Sequence, residues 1–299
     1  MTNGIARQAG WEFTDDRGST SSGPGAPPRV VAYVRAGAAL WEYGVRPVAV
    51  YGSGHDSGAA ADPAKLGGLD PRQVAYLGGG ADVAPDALRE LRPDVVVDVT
   101  YDGKAPYALA ESVAEAAGVP VVALGVGGDA SLRTILGRFA DLTTAFGAEA
   151  GVVGGELALA EEELRVLAVG EGTARVVALS PGGPEQVHLA RPDTWPELRH
   201  LADLGVRMAD PGRGPGVNWR TVDWDQALAA VGGAGVVLAD TRANAAPLSA
   251  LADIPAWQRL SLTAQVLPWN PELPPAPGAY ATFLRAVADA LRAQARASQ

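Results

Sequence analysis

Two arginines stand where the sequence predicts the carboxyl ends of buried strands. Arg35 follows the apolar run Val30–Val34, and Arg242 follows Val236–Asp240. A guanidinium held in such a position presents a fixed set of N–H donors to a carboxylate or another anionic oxygen. An ion pair with the neighbouring Asp240 would also account for Arg242. The residue type therefore leaves two roles open, ligand binding and a structural ion pair.

Aromatic and polar side chains follow other predicted strands. Trp269 lies between Pro268 and Pro271, which stiffen its loop so that a large ring can be held ready for a ligand, although core packing would explain it nearly as well. Trp219, Trp224 and Trp257 are interpreted mainly as core residues. In open parallel sheets, ligands bind beyond the carboxyl ends of the strands. The predicted ligand contacts are Tyr33, Arg35, Tyr101, Lys104, His188, Arg242 and Trp269.

Motifs of catalysis are scarce. The segment Gly125-Val-Gly-Gly128 follows a predicted strand, but Ala130 replaces the third glycine of the dinucleotide-binding pattern, so a plain tight turn is favoured. The sequence contains neither the phosphate-binding pattern G-x-x-x-x-G-K-[ST] nor the nucleophile pattern G-x-S-x-G. We therefore predict no catalytic residue and no resident cofactor.

Residue types also argue against a metal site built by the protein. The chain has no cysteine, and its histidines, His55, His188 and His200, are dispersed. His200 is expected at the surface of a helix. Because zinc and manganese sites need several such ligands close together, we predict no metal bound directly by side chains. Any metal would arrive inside a chelate.

Composition sets the class of protein. The chain has 299 residues, of which 47% are hydrophobic and 19% charged, and this apolar content is enough for a packed globular protein. The formal net charge of −10 disfavours nucleic acid, because phosphate backbones are bound mainly by clustered lysine and arginine. No run of apolar residues is long enough to predict a membrane span.

Alternating strands and helices must position these side chains. Short Val-rich runs bounded by Gly or Pro alternate with helical patterns, stop at a helix over Gly155–Val169, and then begin again. In the second half the predicted strands are Arg175–Ser180, Val206–Met208, Val236–Asp240 and Gln265–Pro268. The pattern predicts two doubly wound α/β lobes joined by one long helix.

The domain boundaries follow from this alternation. Ser19–Pro28 consists of Ser, Thr, Gly, Ala and Pro, which is typical of a flexible tether. We expect an N-terminal hairpin or tether over 1–28, an N-terminal α/β lobe over 29–149, a connecting helix over 150–169 and a C-terminal α/β lobe over 170–299.

Several segments, taken in order, resemble the helical-backbone class (class III) of ABC-transporter substrate-binding proteins, which receive ferric siderophores, haem or cobalamin. The resemblance covers nearly the whole chain. Its segments are Phe13–Gly18, Pro28–Ala32, Leu40–Val48, Pro85–Val97, Gly118–Val122, Ser131–Leu132 and Val222–Gln226. The first of them is similar to the family's opening hairpin.

The resemblance implies a solute-binding protein rather than an enzyme. It would capture a bulky polar small molecule, most plausibly a ferric siderophore or similar metal chelate, in a cleft between two rigid lobes joined by one helix. It implies an acidic residue on each lobe that meets an ABC permease, and Asp86 and Asp225 occupy those positions. Both are Asp where the family has Glu, and each would also suit the first turn of an ordinary helix. We expect a monomer with a small-molecule ligand.

Two other functions remain open from the sequence. One is a cytoplasmic relative that sequesters or senses a small molecule, and the other is a two-lobed enzyme acting on a nucleotide sugar. The start of the chain shows no secretory signal and no lipid-attachment cysteine. The expected location is therefore extracytoplasmic and associated with the cell surface if an export signal was removed, or cytoplasmic if none existed. Gly232–Gly235 also departs from the family's usual pattern.

Overall fold

The computed structural model describes residues 10–56, 59–148, 154–170 and 173–297. Residue contacts divide the chain into two compact units. The first holds most of the chain before residue 154, and the second holds most of the chain after it. The short segments 127–132 and 274–276 are exceptions, because each belongs to the unit opposite to its chain neighbours.

The first unit is built on a parallel sheet. Its five described strands are β3 (Val30–Tyr33), β4 (Ala49–Gly52), β5 (Ala75–Gly79), β6 (Val95–Thr100) and β7 (Val121–Gly125). They lie in the order β5-β4-β3-β6-β7, and every neighbouring pair is parallel. All residues of β3, β4 and β6 are buried, as continuous Val-rich runs predict for strands covered on both faces. The helices that follow these strands are α1 (Val34–Glu42), α2 (Pro85–Leu91), α3 (Glu111–Ala117) and α4 (Leu132–Ala145).

An antiparallel hairpin of β1 (Trp11–Thr14) and β2 (Thr20–Gly23) belongs to the first unit. Its turn is fixed to β7, because the carboxylate of Asp15 accepts the backbone N–H of Ala123 at 3.0 Å. The tether expected over Ser19–Pro28 is therefore wrong for its first half. Serine and threonine in β2 pair with β1, a tertiary interaction that overrides their preference for loops.

The second unit contains a mixed sheet. Its described strands are β8 (Arg175–Pro181), β9 (Val187–Ala190), β10 (Trp219–Val222), β11 (Ala234–Asp240) and β12 (Gln265–Trp269). Their order is β10-β9-β8-β11-β12, in which β8, β11 and β12 are parallel and β8, β9 and β10 are antiparallel. The predicted strand Val206–Met208 is wrong in extent, since only Met208 forms a bridge, with Val176.

Helices cover the sheet of the second unit. They are α5 (Gly155–Ala168), α6 (Pro196–Asp203), α7 (Trp224–Val231), α8 (Pro255–Thr263) and α9 (Pro277–Ala297). Trp224 and Trp257 are buried in the core with ring centroids 5.7 Å apart, as expected. Across the described residues, no helix combines the length and the apolar character that crossing a membrane requires.

The predicted connecting helix is α5, which stands where the chain passes from the first unit to the second. The start of the predicted span, up to residue 153, lies outside the described residues. Ion pairs from Glu156 to Arg285 and from Glu163 to Arg292 join α5 to α9. The predicted fold class, two α/β lobes with a long helix at the passage, is confirmed.

The expected surface position of His200 is wrong. Its side chain is buried between α6 and α5, and Nε2 lies 2.9 Å from Oε1 of the equally buried Glu161. His200 lies on the buried face of α6, because it stands three positions after Glu197 and four after Pro196, which are both buried. A titratable pair thus fixes α5 to α6.

Candidate functional site

Four tyrosines gather at the carboxyl ends of strands in the first unit, and we call them the tyrosine cluster: Tyr33, Tyr51, Tyr101 and Tyr107. The ring centroid of Tyr33 lies 6.3 Å from that of Tyr51 and 5.6 Å from that of Tyr107. Tyr101 meets Tyr107 edge to face at 4.8 Å. Tyr33 ends β3 and Tyr101 directly follows β6, and these strands are neighbours. Parallel pairing therefore brings the rings together.

Arg35 lies against this cluster. It occupies the first turn of α1, is only 3% exposed, and donates from Nη1 to the hydroxyl of Tyr101 at 3.0 Å. Tyr101 itself is 39% exposed, so the cluster is partly open to solvent. Of the predicted contacts in the first unit, Tyr33, Arg35 and Tyr101 are brought together. Lys104 is exposed on the loop beyond them, where its backbone N–H donates to Asp102.

A buried carboxylate supports the tyrosine cluster from within the sheet. Asp98 in β6 is fully buried and accepts the hydroxyl of Tyr51 at 2.9 Å and the backbone N–H of Leu109 at 3.0 Å. Burial raises the pKa of Asp98 to about 6, although these hydrogen bonds act to lower it. Burial and the charge of Asp98 raise the pKa of Tyr51 well above its ordinary value. Sequence reasoning did not identify this pair, because Asp98 interrupts an apolar run without forming a motif.

Three tryptophans form a second group, in the second unit, and we call them the tryptophan cluster: Trp195, Trp219 and Trp269. Their ring centroids are 4.9 Å (Trp195–Trp219), 5.7 Å (Trp195–Trp269) and 5.9 Å (Trp219–Trp269) apart. Trp269 is 2% exposed, whereas the other two are half-buried. The ring of His188 lies 6.3 Å from Trp219. Such aromatic contacts each add about 0.5–1.5 kcal/mol beyond area burial.

Sequence reasoning found only part of this cluster. Trp219 was expected in the core, but the structure places both Trp219 and Trp195 beside Trp269. The missed signal is the short segment Trp219–Val222, which contains aromatic and β-branched residues and follows a Gly- and Pro-rich stretch, a pattern that predicts a strand. That strand is β10.

The position of His188 differs from the prediction. It lies inside β9, not in a loop beyond a parallel strand, and is paired across the antiparallel ladder with Thr221. Its Nδ1 is 2.8 Å from Oγ1 of Thr221. Burial lowers the pKa of His188, and the charge of Asp240 opposes this shift only in part. This direction favours the neutral imidazole, in which Nε2 can donate or accept one hydrogen bond.

Arg242 forms the ion pair with Asp240 that the sequence allowed, and it forms a second ion pair with Glu272. Its guanidinium donates to Asp240 from Nη2 at 2.8 Å and to Glu272 from Nη1 at 3.0 Å. Ser180 also donates to Asp240 at 2.8 Å. Burial acts to lower the pKa of Arg242, but hydrogen bonds and charge from both carboxylates raise it above its ordinary value. One half-buried guanidinium thus faces two buried carboxylates, Asp240 at the end of β11 and Glu272 in the loop after β12.

The two acidic residues of the proposed permease contact are both exposed at helix starts. Asp86 lies in the first turn of α2 and pairs with Arg89, and Asp225 lies in the first turn of α7, where Asp223 forms the N-terminal cap. Neither carboxylate belongs to the tyrosine or tryptophan cluster.

The glycine turn after β7 is a structural turn. The backbone N–H of Gly125 donates to the carboxylate of Asp16 at 2.6 Å, and Arg138 holds the same carboxylate at 2.6 Å. The hairpin therefore occupies the donor that a phosphate would need. Within the described residues, no three His, Cys, Asp or Glu side chains lie together as metal ligands would.

No protein-family model matches the sequence, and no curated protein does. The structure is similar to DesE, a ferric-siderophore receptor protein from Streptomyces coelicolor, with a TM-score of 0.81 and 23% identity over 94% of this chain and 97% of that one. It is similar to the siderophore-binding protein FhuD from Vibrio cholerae, solved with Fe³⁺-Desferal bound (TM-score 0.61, 18% identity, 89% and 98% covered). The periplasmic haem-binding protein RhuT from Roseiflexus sp. RS-1 is also similar (TM-score 0.57, 16% identity, 91% and 99% covered). At these identities the likeness establishes architecture: the chain has the fold of periplasmic siderophore- and haem-binding proteins.

Proposed function

We propose that this chain is a solute-binding protein that captures a ferric siderophore, or a similar metal chelate, for delivery to an ABC permease. The observation that carries the proposal is the likeness along nearly the whole length of both chains to a ferric-siderophore receptor. The proteins named in the comparison bind ligands, which supports binding without chemical turnover. A location outside the cytoplasm fits the same relatives.

Both aromatic clusters belong to the proposed site. The predicted contacts Tyr33, Arg35, Tyr101, Lys104, His188, Arg242 and Trp269 would touch one ligand molecule, together with Trp195 and Trp219. Tyrosine hydroxyls and guanidinium N–H groups suit the oxygen-rich surface of a chelate, and aromatic rings suit its apolar parts. The support for this assignment is that six of the seven predicted side chains lie in or beside one of the two clusters, at strand ends or on the β9–β10 edge.

The charged residues near the tryptophan cluster favour a chelate with little negative charge. Arg242 has its guanidinium nitrogens engaged by Asp240 and Glu272, and both carboxylates are buried beside it. A chelate with three negative charges would meet the guanidinium of Arg242, whose charge the two carboxylates already balance, and those carboxylates themselves. Like charges at such a site raise the cost of binding, so neutral or cationic chelates fit it better.

A panel titration tests the proposal. Purified protein is titrated with ferric Desferal, a ferric tris-catecholate, haem and a corrinoid, while tryptophan emission and thermal unfolding are recorded. We expect saturable quenching and a rise in Tm with at least one ferric chelate, because a ligand that binds only the folded chain stabilises it by mass action. Absence of quenching and of stabilisation with every member would overturn the proposal.

Docking on a permease is tested separately. We expect Asp86→Lys combined with Asp225→Lys to abolish chelate-dependent growth under iron limitation while leaving chelate affinity in solution within twofold. Both carboxylates are exposed and lie outside the aromatic clusters, so their removal should not disturb the ligand. Glu90→Lys, an exposed acid on the same helix as Asp86, serves as the control.

Two results would count against the docking role. Weakened chelate binding in the double variant would place these residues at the ligand. Normal growth would make them ordinary charges at helix termini, which contribute about 0.3–1 kcal/mol to helix stability.

A further inference from the structure

A glycine- and proline-rich loop lies next to the tryptophan cluster, and we call residues 211–218 the glycine loop. It runs Pro-Gly-Arg-Gly-Pro-Gly-Val-Asn and leads directly into β10 at Trp219. Gly216 has φ of +94°, and a Cβ there would lie 2.3 Å from the carbonyl oxygen of Trp219. Only glycine fits this close approach. The backbone of the loop is therefore specified at Gly216, where it packs against the backbone of Trp219.

One arginine holds the glycine loop in place. Arg191 donates to the carbonyl oxygens of Gly212, Gly214 and Gly216 at 3.1, 2.9 and 3.1 Å, using all three nitrogens of its guanidinium. Its own backbone N–H donates to the carbonyl of Asn218 at 2.9 Å. A planar group with several fixed donors restrains three alternate residues at once, which lysine cannot do. The loop is thus ordered by polar contacts rather than by an apolar core.

The ordered loop shapes a cavity of about 460 Å³. Its lining residues are Pro215, Gly216, Val217, Asn218, Trp219 and Thr221. The cavity adjoins the candidate site directly, because Trp219 belongs to the tryptophan cluster and the hydroxyl of Thr221 is 2.8 Å from His188. Val217 is 80% exposed although the loop around it is fixed. A fixed apolar side chain left in water beside a binding site is suited to contact an apolar part of a ligand.

We propose that this cavity is a subsite that binds an aliphatic arm of the chelate, and that Arg191 is the residue that positions it. The inference rests on the proposed function and adds which part of the ligand is recognised, and where. Pro215, Val217 and the ring of Trp219 supply the apolar surface. Arg191 fixes the loop before the ligand arrives, so that less conformational entropy is lost on binding.

The experiment compares two hydroxamate probes, one with arms and one without. Ferric Desferal carries hydroxamates joined by aliphatic chains, whereas ferric tris-acetohydroxamate, kept in excess acetohydroxamate, presents the same kind of iron centre alone. We expect Val217→Asp to weaken ferric Desferal binding about tenfold, and to change binding of the armless complex less than twofold. Leu262→Asp is the matched control, because Leu262 is 84% exposed and lies on α8, away from the loop.

The positioning role has its own pair of variants. We expect Arg191→Lys to weaken ferric Desferal binding about fivefold, again with little effect on the armless complex, and to lower Tm by no more than about 5 °C. Arg213→Lys, an exposed arginine of the same loop, should change neither affinity. The difference between the two probes separates positioning of the subsite from a general loss of structure, since unfolding would weaken both complexes alike.

The outcomes are distinguishable from failure of the proposed function. If the unaltered chain binds no chelate of the panel, the proposed function fails and this inference fails with it. If the chain binds haem or a catecholate but not ferric Desferal, the inference alone is overturned. Equal weakening of both probes by Val217→Asp, or no weakening of either, would also overturn it.

Discussion

The tyrosine cluster and the tryptophan cluster place similar side chains on different scaffolds. In the first unit, parallel strands end side by side, and Tyr33 and Tyr101 both contact Tyr107 because β3 and β6 are neighbours. In the second, parallel strands supply Arg242 and Trp269, while the antiparallel pair β9 and β10 supplies His188 and Trp219. Strand ends alone thus bring the tyrosine cluster together, whereas the tryptophan cluster also needs a sheet edge.

The charges of the two halves also differ. The first unit places Arg35 against a tyrosine hydroxyl above the buried Asp98 and Tyr51 pair. The second encloses Arg242 between two buried carboxylates. In the first cluster Arg35 and Asp98 each bind a tyrosine hydroxyl, whereas in the second Arg242 binds two carboxylates directly. Substitutions should therefore cost more stability in the second cluster.

The largest contrast is expected between the aromatic residues themselves. Trp269→Ala should lower the free energy of unfolding by about 3–5 kcal/mol, because it empties a buried site packed by two other indoles. Tyr101→Ala should cost less, about 2 kcal/mol, since that ring is 39% exposed although its hydroxyl accepts a hydrogen bond from Arg35. Urea unfolding of both variants measures the difference. Equal losses of unfolding free energy in the two variants would show that both clusters are equally well buried.

The charged network gives the second contrast. Arg242→Met should cost about 3–5 kcal/mol, because it leaves Asp240 and Glu272 buried without their cation. Adding Glu272→Gln should restore part of the loss, which a double-mutant cycle in urea would measure. Arg213→Met, at an exposed position, is the control. If Arg242→Met unfolds no more easily than this control, the network contributes no stability.

The first unit should carry a pH dependence of its own. Because the pKa of Asp98 is raised to about 6 in the folded chain and is about 3.9 when unfolded, its stabilising effect is complete below about pH 4 and is lost as pH rises through 6. The loss amounts to about 3 kcal/mol. The difference in unfolding free energy between the unaltered chain and Asp98→Asn should therefore fall between pH 4 and pH 7. A difference independent of pH would contradict the raised pKa.

The smallest effects concern single hydroxyls. Tyr101→Phe removes the acceptor of Arg35, and Thr221→Val removes the partner of His188. Each should cost about 0.5–1.5 kcal/mol, with Tyr101→Phe at the upper end because its donor is charged. Thermal unfolding at pH 7 compares them. A larger cost for Thr221→Val would show that the β9–β10 edge depends on this one side-chain contact.

Much of the fold followed from hydrophobic patterning. Continuous valine runs predicted the buried parallel strands of the first unit, and the resemblance placed the opening hairpin that composition alone presented as a tether. The short strands β9 and β10 were missed, because four-residue edge segments such as Trp219–Val222 give a weak periodic signal. Their pairing depends on contacts distant in sequence.

The residues of the candidate site were predictable only where the strands that position them were predicted. Tyr33, Arg35 and Tyr101 follow parallel strands, so the rule of strand ends placed them together. Trp195 and Trp219 were missed because they reach Trp269 from a helix start and from an antiparallel edge. The buried position of His200 was also missed, since its partner Glu161 lies on another helix.

The central claim is that both aromatic clusters contact one chelate, and paramagnetic broadening in ¹⁹F NMR tests it most directly. Protein labelled with fluorotryptophan and fluorotyrosine is titrated with the iron(III) chelate selected by the panel and, as a diamagnetic control, with its gallium(III) form. We predict that one equivalent of the iron form broadens Trp195, Trp219, Trp269, Tyr101 and Tyr107, while Trp11 and Trp257 stay sharp. Broadening confined to one cluster, or equal broadening of all labels, would contradict the claim.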